Sequence, residues 1–528
     1  MTAEPSGYSP STLADALAAA CRGRSTAPFL LGEDGAADAT YGDVHRRSDQ
    51  FAAGLLAAGV RAGDRIAVAA PNSPEWIATW FAAAKIGAVL VTLNVAYRER
   101  EFEYMLNQSA TTVLVCVDEH RDFDFVEFLE GLRDRLPTVR HFVTLGRRTL
   151  AGGVSWSDLL IEEPDVGVIR RASASVQPDD PAVLLYTSGT TGDPKGAVLT
   201  HRSILASAQA QVAHLDQRAD DVAIGHMPLN HVGGMTCTVA AAMIAGGSVA
   251  LLAGYHPRTA LQTTVERRVT LFVGVPTMYA MMLGLPEFAE ADTSSVRTCV
   301  IGGSNVEPEL GKRILDVFAG ARLANLYGLS ETSGGCVISA ADDDMDTLTS
   351  TIGVPIGPFA ARVVDDEGGV VEPGGEGELQ ISGACVAAGY WERPDETSAT
   401  FVPGGWLATG DMAVLRPDGR IALRGRKKEM YVRGGYNVYP AEIENVLAAD
   451  HRIAMSAVIG VPHPVFGEVG RAYVVPAAGA LVDVDALVER CRRQLAEYKV
   501  PGEIVVVESL PLTPSGKIKK VALRDQQL

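Results

Sequence analysis

The sequence predicts an α/β protein of more than one domain, with a β-rich unit following a large N-terminal part and a small α+β unit after that. Three observations predict it. Short apolar runs alternate with amphipathic helical patterns over most of the chain, the signature of largely parallel sheets covered by helices. Beyond about Val354 the texture shifts to Gly, Pro and short alternating strands, as in Gly377-Glu378-Leu379-Gln380-Ile381. A chain of 528 residues also exceeds what one ordinary core organises.

Taken in order, Arg65–Ala69 reads as a buried strand, Ser73–Ala88 as a helix opening near Pro74, and Gly87–Leu93 as the next strand. Thr111–Val117, Val183–Tyr186 and Leu271–Val275 repeat the buried-strand pattern. Thr236–Tyr255 contains no charge and is long enough to span a bilayer. Gly246-Gly247-Ser248 divides it, so the expected structure is a buried helix, a turn and a short strand, with no transmembrane segment. The domain division is placed at 1–425 and 426–528, with the β-rich subdomain at about 354–425 and the boundary in Arg424-Gly425-Arg426-Lys427-Lys428. The second unit is read as a helix at Pro440–Leu447, strands at Ser456–Ile459 and Ala472–Val475, a helix at Val484–Leu495 and a strand at Ile504–Val507.

A net charge of −18 disfavours nucleic-acid partners, because counterion release needs clustered Lys and Arg. Seven scattered cysteines without a CxxC pair suit reduced thiols, and the N-terminus lacks a basic region followed by an apolar run. A cytoplasmic protein is therefore expected. His226 and His231 lie five apart on loop sequence, a poor zinc spacing. No G-x-S-x-G elbow is present, which disfavours a serine hydrolase.

Two stretches carry the chemistry. Tyr186-Thr187-Ser188-Gly189-Thr190-Thr191-Gly192-Asp193-Pro194-Lys195-Gly196 follows an apolar strand. Its hydroxyls, glycines and lysine suit a loop that wraps phosphates. It is not a Walker A loop, since Pro194 precedes the lysine. Composition alone would make such a run a linker. Near the C-terminal end, Pro511-Leu512-Thr513-Pro514-Ser515-Gly516-Lys517-Ile518 presents one lysine from a Pro/Gly frame.

Both stretches resemble signature motifs of the adenylate-forming superfamily of acyl-CoA synthetases, adenylation domains and beetle luciferases, with bacterial fatty-acid or related acid–CoA ligases the nearest likeness. The resemblance covers residues 25–525 and extends to further motifs, among them Pro71-Asn72-Ser73-Pro74-Glu75-Trp76 and Gly389-Tyr390-Trp391-Glu392-Arg393-Pro394. It implies a large N-terminal domain of stacked mixed sheets with helices, and a mobile C-terminal domain. It also implies ATP, Mg²⁺ and coenzyme A as cofactors or substrates.

In that resemblance Thr187, Ser188, Gly189, Thr190, Thr191, Gly192 and Lys195 surround the phosphates, and Gly302, Gly303 and Ser304 flank the adenine. Asn325-Leu326-Tyr327-Gly328-Leu329-Ser330-Glu331-Thr332 would put Tyr327 by the adenine, Ser330 at the α-phosphate and Glu331 on Mg²⁺. Thr409-Gly410-Asp411 would offer Asp411 to the ribose hydroxyls, with Arg426 as the second ribose ligand. Pro228-Leu229-Asn230-His231-Val232-Gly233-Gly234 resembles the carboxylate-pocket motif, with Asn230 in place of the usual aromatic residue. The acyl pocket is expected to use His231, Val232, Gly233, Met235 and Thr277. Lys428 falls at the hinge and Gly434-Gly435 in the thioester-forming loop. Lys517, His231 and Glu331 are the expected catalytic residues.

The implied reaction converts a carboxylic acid and ATP to an acyl-adenylate and pyrophosphate, then to an acyl-CoA with release of AMP. A free-standing enzyme that loads a carrier protein is an alternative, since no carrier segment follows Lys517 in this sequence. A nucleotide-binding protein without full catalysis is the other. The identity of the acid and association into a homodimer are left open.

Overall fold

Two large sheets are each buried on both faces, because their inner strands are buried at nearly every position rather than at alternate ones. The computed structural model describes residues 11–33, 36–187, 193–303, 306–434, 436–512 and 518–525. The seven-stranded sheet runs Lys195–Thr200, Pro181–Thr187, Val89–Leu93, Arg65–Ala69, Val113–Val117, His141–Leu145, Val154–Ser155. Only the first pair is antiparallel. The nine-stranded sheet runs Val354–Pro355, Gly334–Ile338, Arg322–Leu329, Thr298–Gly302, Leu271–Gly274, Val222–Gly225, Ser248–Leu251, Pro28–Leu31, Ala39–Thr40. It is parallel in its middle and antiparallel at both ends.

The period-2 geometry of a strand sorts each sheet's side chains into two cores. Ile66 and Val68 face a central cluster while Ala67 and Ala69 face an outer one. On the other sheet Val249 and Leu251 face the centre, and Ala250 and Leu252 face out. Helices Tyr41–Ala57, Pro74–Ile86 and His201–His214 contribute to the central cluster, which makes a helical layer between the sheets. Pro74–Ile86 is the clearest case. Ser73 accepts the Trp76 amide as N-cap, proline occupies the first turn, and Gly87 closes the helix in the left-handed region at φ 71°.

The uncharged stretch Thr236–Tyr255 is a helix, a turn and a strand. A π-helical segment, Met235–Ala240, continues into Ala241–Ala245, Gly246 turns the chain, and Ser248–Leu251 is a central strand. Among the described residues no helix is long and apolar enough to cross a membrane.

The β-rich unit is an antiparallel sheet of Ala360–Val364, Glu376–Ser382, Trp406–Leu415, Phe401–Val402 and Ile421–Arg426. Val354–Pro355 pairs instead with the nine-stranded sheet, so this sheet begins at Ala360. The C-terminal unit has its own sheet, built on the long hairpin Ile453–His463/Gly467–Pro476, with Tyr431–Arg433, Tyr436–Val438 and Glu503–Val506 added. Helices Pro440–Ala448 and Val484–Gln494 cover it.

Candidate functional site

Parallel strands end together, and ligands of α/β sheets sit beyond those ends. At this edge of the nine-stranded sheet stand Gly225, Gly274, Gly302 and the Leu326–Leu329 end of its neighbour. Gly303 follows in the left-handed region at φ 83°. Gly328 is required by space, since a Cβ there would lie 2.1 Å from the Gly334 carbonyl oxygen.

Tyr327 reaches from this edge to the β-rich sheet, where its hydroxyl donates to Asp411 Oδ2 at 2.5 Å. The other carboxylate oxygen of Asp411 meets Arg426 Nε at 2.8 Å. Asp411 and Arg426 are directly opposite on neighbouring antiparallel strands, which explains the pairing. A register shift between Glu378 and Gln380 marks a bulge opposite Thr409–Asp411. There Thr409 Oγ1 donates to the Leu379 carbonyl and accepts the Asp411 amide. Arg426 Nη1 also donates to the Thr409 carbonyl at 3.1 Å. Arg426 is half-exposed; partial desolvation on its protein-facing side works against its charge, but Asp411, Tyr327 and Glu331 outweigh it, and its pKa is raised. Burial, and then Asp411, raise the Tyr327 hydroxyl well above its ordinary range, so it remains a donor.

The Ser330–Thr332 turn places Glu331 beside a second strand-edge motif. Tyr390 Oη donates to Glu331 Oε1 at 2.7 Å, and the Ala387 amide donates to the Glu331 carbonyl. Lys195 Nζ lies 5.2 Å from the centre of the Tyr390 ring. Lys195 begins its strand opposite Thr187, whose hydroxyl donates to the Lys195 carbonyl at 3.4 Å. The two ends of the phosphate-loop stretch are therefore held together on the edge of the seven-stranded sheet.

His231 caps the short helix Val232–Gly234, with Nδ1 accepting the Gly233 amide at 3.1 Å. Its loop is stitched to both sheets. Asn72 Nδ2 donates to the Gly225, Met227 and Leu252 carbonyls, and its Oδ1 accepts the Leu229 amide. Thr92 Oγ1 donates to the Asn230 carbonyl.

Comparison with known proteins gives the family. Residues 17–391 match the model of the AMP-binding enzyme family, and residues 442–517 that of the AMP-binding enzyme C-terminal domain. The chain belongs to the AMP-binding enzyme family. It is similar to a feruloyl-CoA synthase of an Amycolatopsis species, at 37% identity over 92% of this chain and 93% of that one. The anthranilate CoA ligase AuaEII, solved with anthranoyl-AMP, superposes with a TM-score of 0.86 at 27% identity, over 98% of this chain and 97% of that one. ATP-bound MatB from Rhodopseudomonas palustris superposes at 0.84 with 28% identity, over 97% of this chain and 98% of that one. Like these relatives, the chain is an adenylate-forming acid–CoA ligase with a large N-terminal and a small C-terminal domain.

In this AMP-binding enzyme the strand Ile421–Arg426 leads into a turn, where the amides of Glu429 and Met430 donate to the Arg426 carbonyl. Lys428 stands exposed in that turn. Glu429 pairs with Lys520, which also pairs with Glu444, at 2.6 and 2.8 Å. Burial pushes the Glu444 carboxyl up against the pull of Lys520. Gly434 is exposed at φ 58°, and its amide donates to the Phe466 carbonyl.

The structure thus gathers Tyr327, Asp411 and Arg426 in one network, and Glu331 and Lys195 around Tyr390. Gly302, Gly303 and Gly328 line the same strand edge. Other expected residues are occupied elsewhere. The Asn325 amide is turned inward and donates to the Leu348 and Thr351 carbonyls. Leu326 packs partly against an apolar cluster. Val232 and Met235 belong to the central core, at 4% and 0% exposure. Thr277 is exposed on the first turn of helix Pro276–Leu283. Ser188, Gly189, Thr190, Thr191, Gly192, Ser304, Gly435 and Lys517 lie outside the described residues. The sequence motifs gave Asn72 and Tyr390 no role. Both lay within recognised stretches, Pro71–Trp76 and Gly389–Pro394, but which groups they bond depends on the fold.

Proposed function

We propose that Tyr327, Asp411 and Arg426 bind the adenosine of ATP, and that Glu331, Lys195 and the Thr187–Lys195 stretch receive its phosphates. The observation that carries this reading is the closed chain Tyr327–Asp411–Arg426, in which a carboxylate is fixed by two partners on the strand edge where ligands of such sheets bind. A carboxylate held in this way is preorganised to accept ribose hydroxyls with little further ordering.

Among the described residues no three His, Cys, Asp or Glu gather as a metal cluster. A single carboxylate nevertheless suits Mg²⁺, which is held by one or two carboxylates together with substrate phosphates and water. Glu331 is the residue that would hold it, and the ion would neutralise phosphate charge there. Ser330, at the start of the same turn, donates to the α-phosphate. Lys517, brought in by the C-terminal domain, donates to the charge that develops as the acid's carboxylate attacks that phosphate. Pyrophosphate leaves, and the acyl carbon of the adenylate becomes open to a thiol. His231 and Gly233 face the acid between the two sheets. Lys428 serves as the hinge, with the division at 425/426, and the Gly434–Gly435 loop replaces Lys517 for the CoA step. Seven free thiols support a reducing, cytoplasmic setting.

The test is a paired assay. Acid-dependent pyrophosphate release is measured across a panel of aromatic, alicyclic and straight-chain acids, and thioester formation is measured with CoA added. Pyrophosphate release that needs an acid, followed by CoA-dependent thioester, is the expected result. Nucleotide binding without either step would overturn the reading.

A further inference from the structure

We infer that Tyr390 is a positioning residue of the adenylation step: its hydroxyl orients Glu331 while its ring keeps Glu331 and Lys195 from pairing with each other. The inference rests on the proposed assignment of Glu331 to the Mg²⁺ site, and it gives a role to a residue outside the expected set.

Tyr390 itself is rigidly held. Ala388 N donates to Val198 O, Val198 N to Gly389 O, and Trp391 N to Gly196 O, so its backbone runs as an added strand beside Lys195–Thr200. The Tyr390 amide donates to Thr397 Oγ1 at 2.9 Å, and the Phe401 ring packs edge-on at 5.4 Å. From this fixed frame the ring serves two opposite charges. Its hydroxyl donates to Glu331 Oε1 at 2.7 Å, and Lys195 Nζ stands 5.2 Å from the ring centre. Among the ion pairs of the described residues none joins Lys195 to Glu331, although both flank one ring.

Two consequences follow. A glutamate side chain loses rotamer freedom when it is fixed, and the Tyr390 hydrogen bond has already ordered Glu331 before a cation arrives. One oxygen holds the tyrosine and the other is left to face the phosphates. In addition, a lysine and a glutamate that closed on each other would neutralise the two charges needed for phosphate and cation. The ring attracts the ammonium by its face and bonds the carboxylate by its edge, so it holds them apart.

The experiment is equilibrium ATP binding by titration calorimetry, with Mg²⁺ varied and with EDTA, on wild type, Tyr390→Phe, Tyr390→Leu and Glu331→Gln. Phenylalanine keeps the ring and its packing, and thermal melts check that the fold is intact. Hydrogen bonds to charged groups set the scale, and Tyr390→Phe is expected to raise the Mg²⁺ concentration at half effect by about tenfold, with affinity in EDTA unchanged. Tyr390→Leu is expected to weaken ATP binding in EDTA as well, because Lys195 is then free to close on Glu331. Wild-type Mg²⁺ dependence in Tyr390→Phe, alongside its loss in Glu331→Gln, would overturn this inference alone. Wild-type dependence in Glu331→Gln would remove the metal assignment, and this inference with it.

Discussion

The residues proposed to face the nucleotide in the large domain stand on strands whose neighbours are buried, while the described candidates of the C-terminal domain, Lys428 and Gly434, stand on a turn and a hairpin rim. Asp411 is 5% exposed and bonded through both oxygens, whereas Tyr436, beside the Gly434 loop, is 58% exposed. Val432, Val465 and Phe466 on the same rim are exposed as well. The difference separates two tasks. Adenosine recognition needs a fixed geometry, and buried paired strands supply it. In the proposed two-orientation cycle, a domain that presents first a lysine and then a glycine loop keeps its working face uncovered in at least one arrangement. Polar contacts then hold its position, among them Tyr439 Oη to Glu376 at 2.8 Å and Lys427 Nζ to Asp366 at 2.9 Å.

The sharpest way to break this comparison is to silence the small domain's contribution and leave the large domain untouched. Lys517→Ala is expected to lower acid-dependent pyrophosphate release by about 10²–10³, the loss typical of one preorganised donor. ATP affinity, set by the large domain, should stay near wild type. Conversion of supplied acyl-adenylate and CoA to thioester should survive. Wild-type pyrophosphate release would show that the division of labour is wrong.

The reciprocal experiment touches the large domain. Asp411→Asn keeps the shape but loses the charge that pairs with Arg426 and accepts from Tyr327. ATP binding should weaken by about ten- to a hundredfold, from the strength of hydrogen bonds to charged groups. The acyl-adenylate plus CoA step should weaken too, because the adenylate carries the same ribose. An effect on pyrophosphate release without any change in ATP affinity would remove Asp411 from the ribose site.

The large domain was easier to read from sequence than its contacts. Arg65–Ala69, Pro74–Ile86 and Val89–Leu93 fall where apolar runs, proline and glycine put them, since burial on both faces leaves a local trace. The hairpin Ile453–His463/Gly467–Pro476 is longer than its buried centre shows, because glycine, proline and half-buried positions toward its ends interrupt the apolar run. Side-chain direction left no such trace. Asn325 lies in a motif of site residues yet turns inward, and Met235 follows His231 into the core. Asn72 bonds Leu229 across 157 residues of sequence, and Lys520 bonds Glu429 across 91. No periodicity carries information over such separations. The motif residues were legible because their chemistry is local, and their supporting partners were hidden because their bonds are not.

A third experiment sharpens the contrast in how the two domains are secured. Lys520 ties the turn residue Glu429 to Glu444, and Lys517 lies three residues before Lys520 in sequence. Lys520→Met leaves two carboxylates facing each other without their cation. The three side chains are partly solvated, so the loss is discounted to the order of 1–2 kcal/mol, below that of a fully buried pair. All five tryptophans precede Arg426, so their fluorescence reports the large domain alone. Calorimetry of Lys520→Met should show an earlier transition that tryptophan emission does not follow. A single transition seen equally by both probes would mean that the domains unfold as one.

The last expected effect is silent at neutral pH and appears only in acid. Burial pushes the His226 and His201 imidazoles down to about 4, from an ordinary value of 6.5. Both lie in the large domain, His226 against the rings of Tyr255 and Phe272, and His201 accepting the Leu13 amide. Between pH 6.5 and 4 the unfolded chain binds these protons and the folded chain does not, so stability falls as pH drops through that window. Above 6.5 the contribution is constant, and below 4 it is already lost. Each histidine accounts for about 3 kcal/mol across the window, since one bound proton is worth about 1.4 kcal/mol for every pH unit crossed. The C-terminal domain's two histidines lie closer to solvent, with His451 the more exposed. Acid should therefore loosen the large domain, seen as a tryptophan emission change between about pH 6 and 4. His226→Phe replaces the titrating ring with an apolar one of similar shape among aromatic neighbours. Its transition should move to lower pH, with a flatter dependence of melting temperature on pH over that window. An unchanged acid midpoint in His226→Phe would show that this histidine is already charged, or already solvated, in the folded protein.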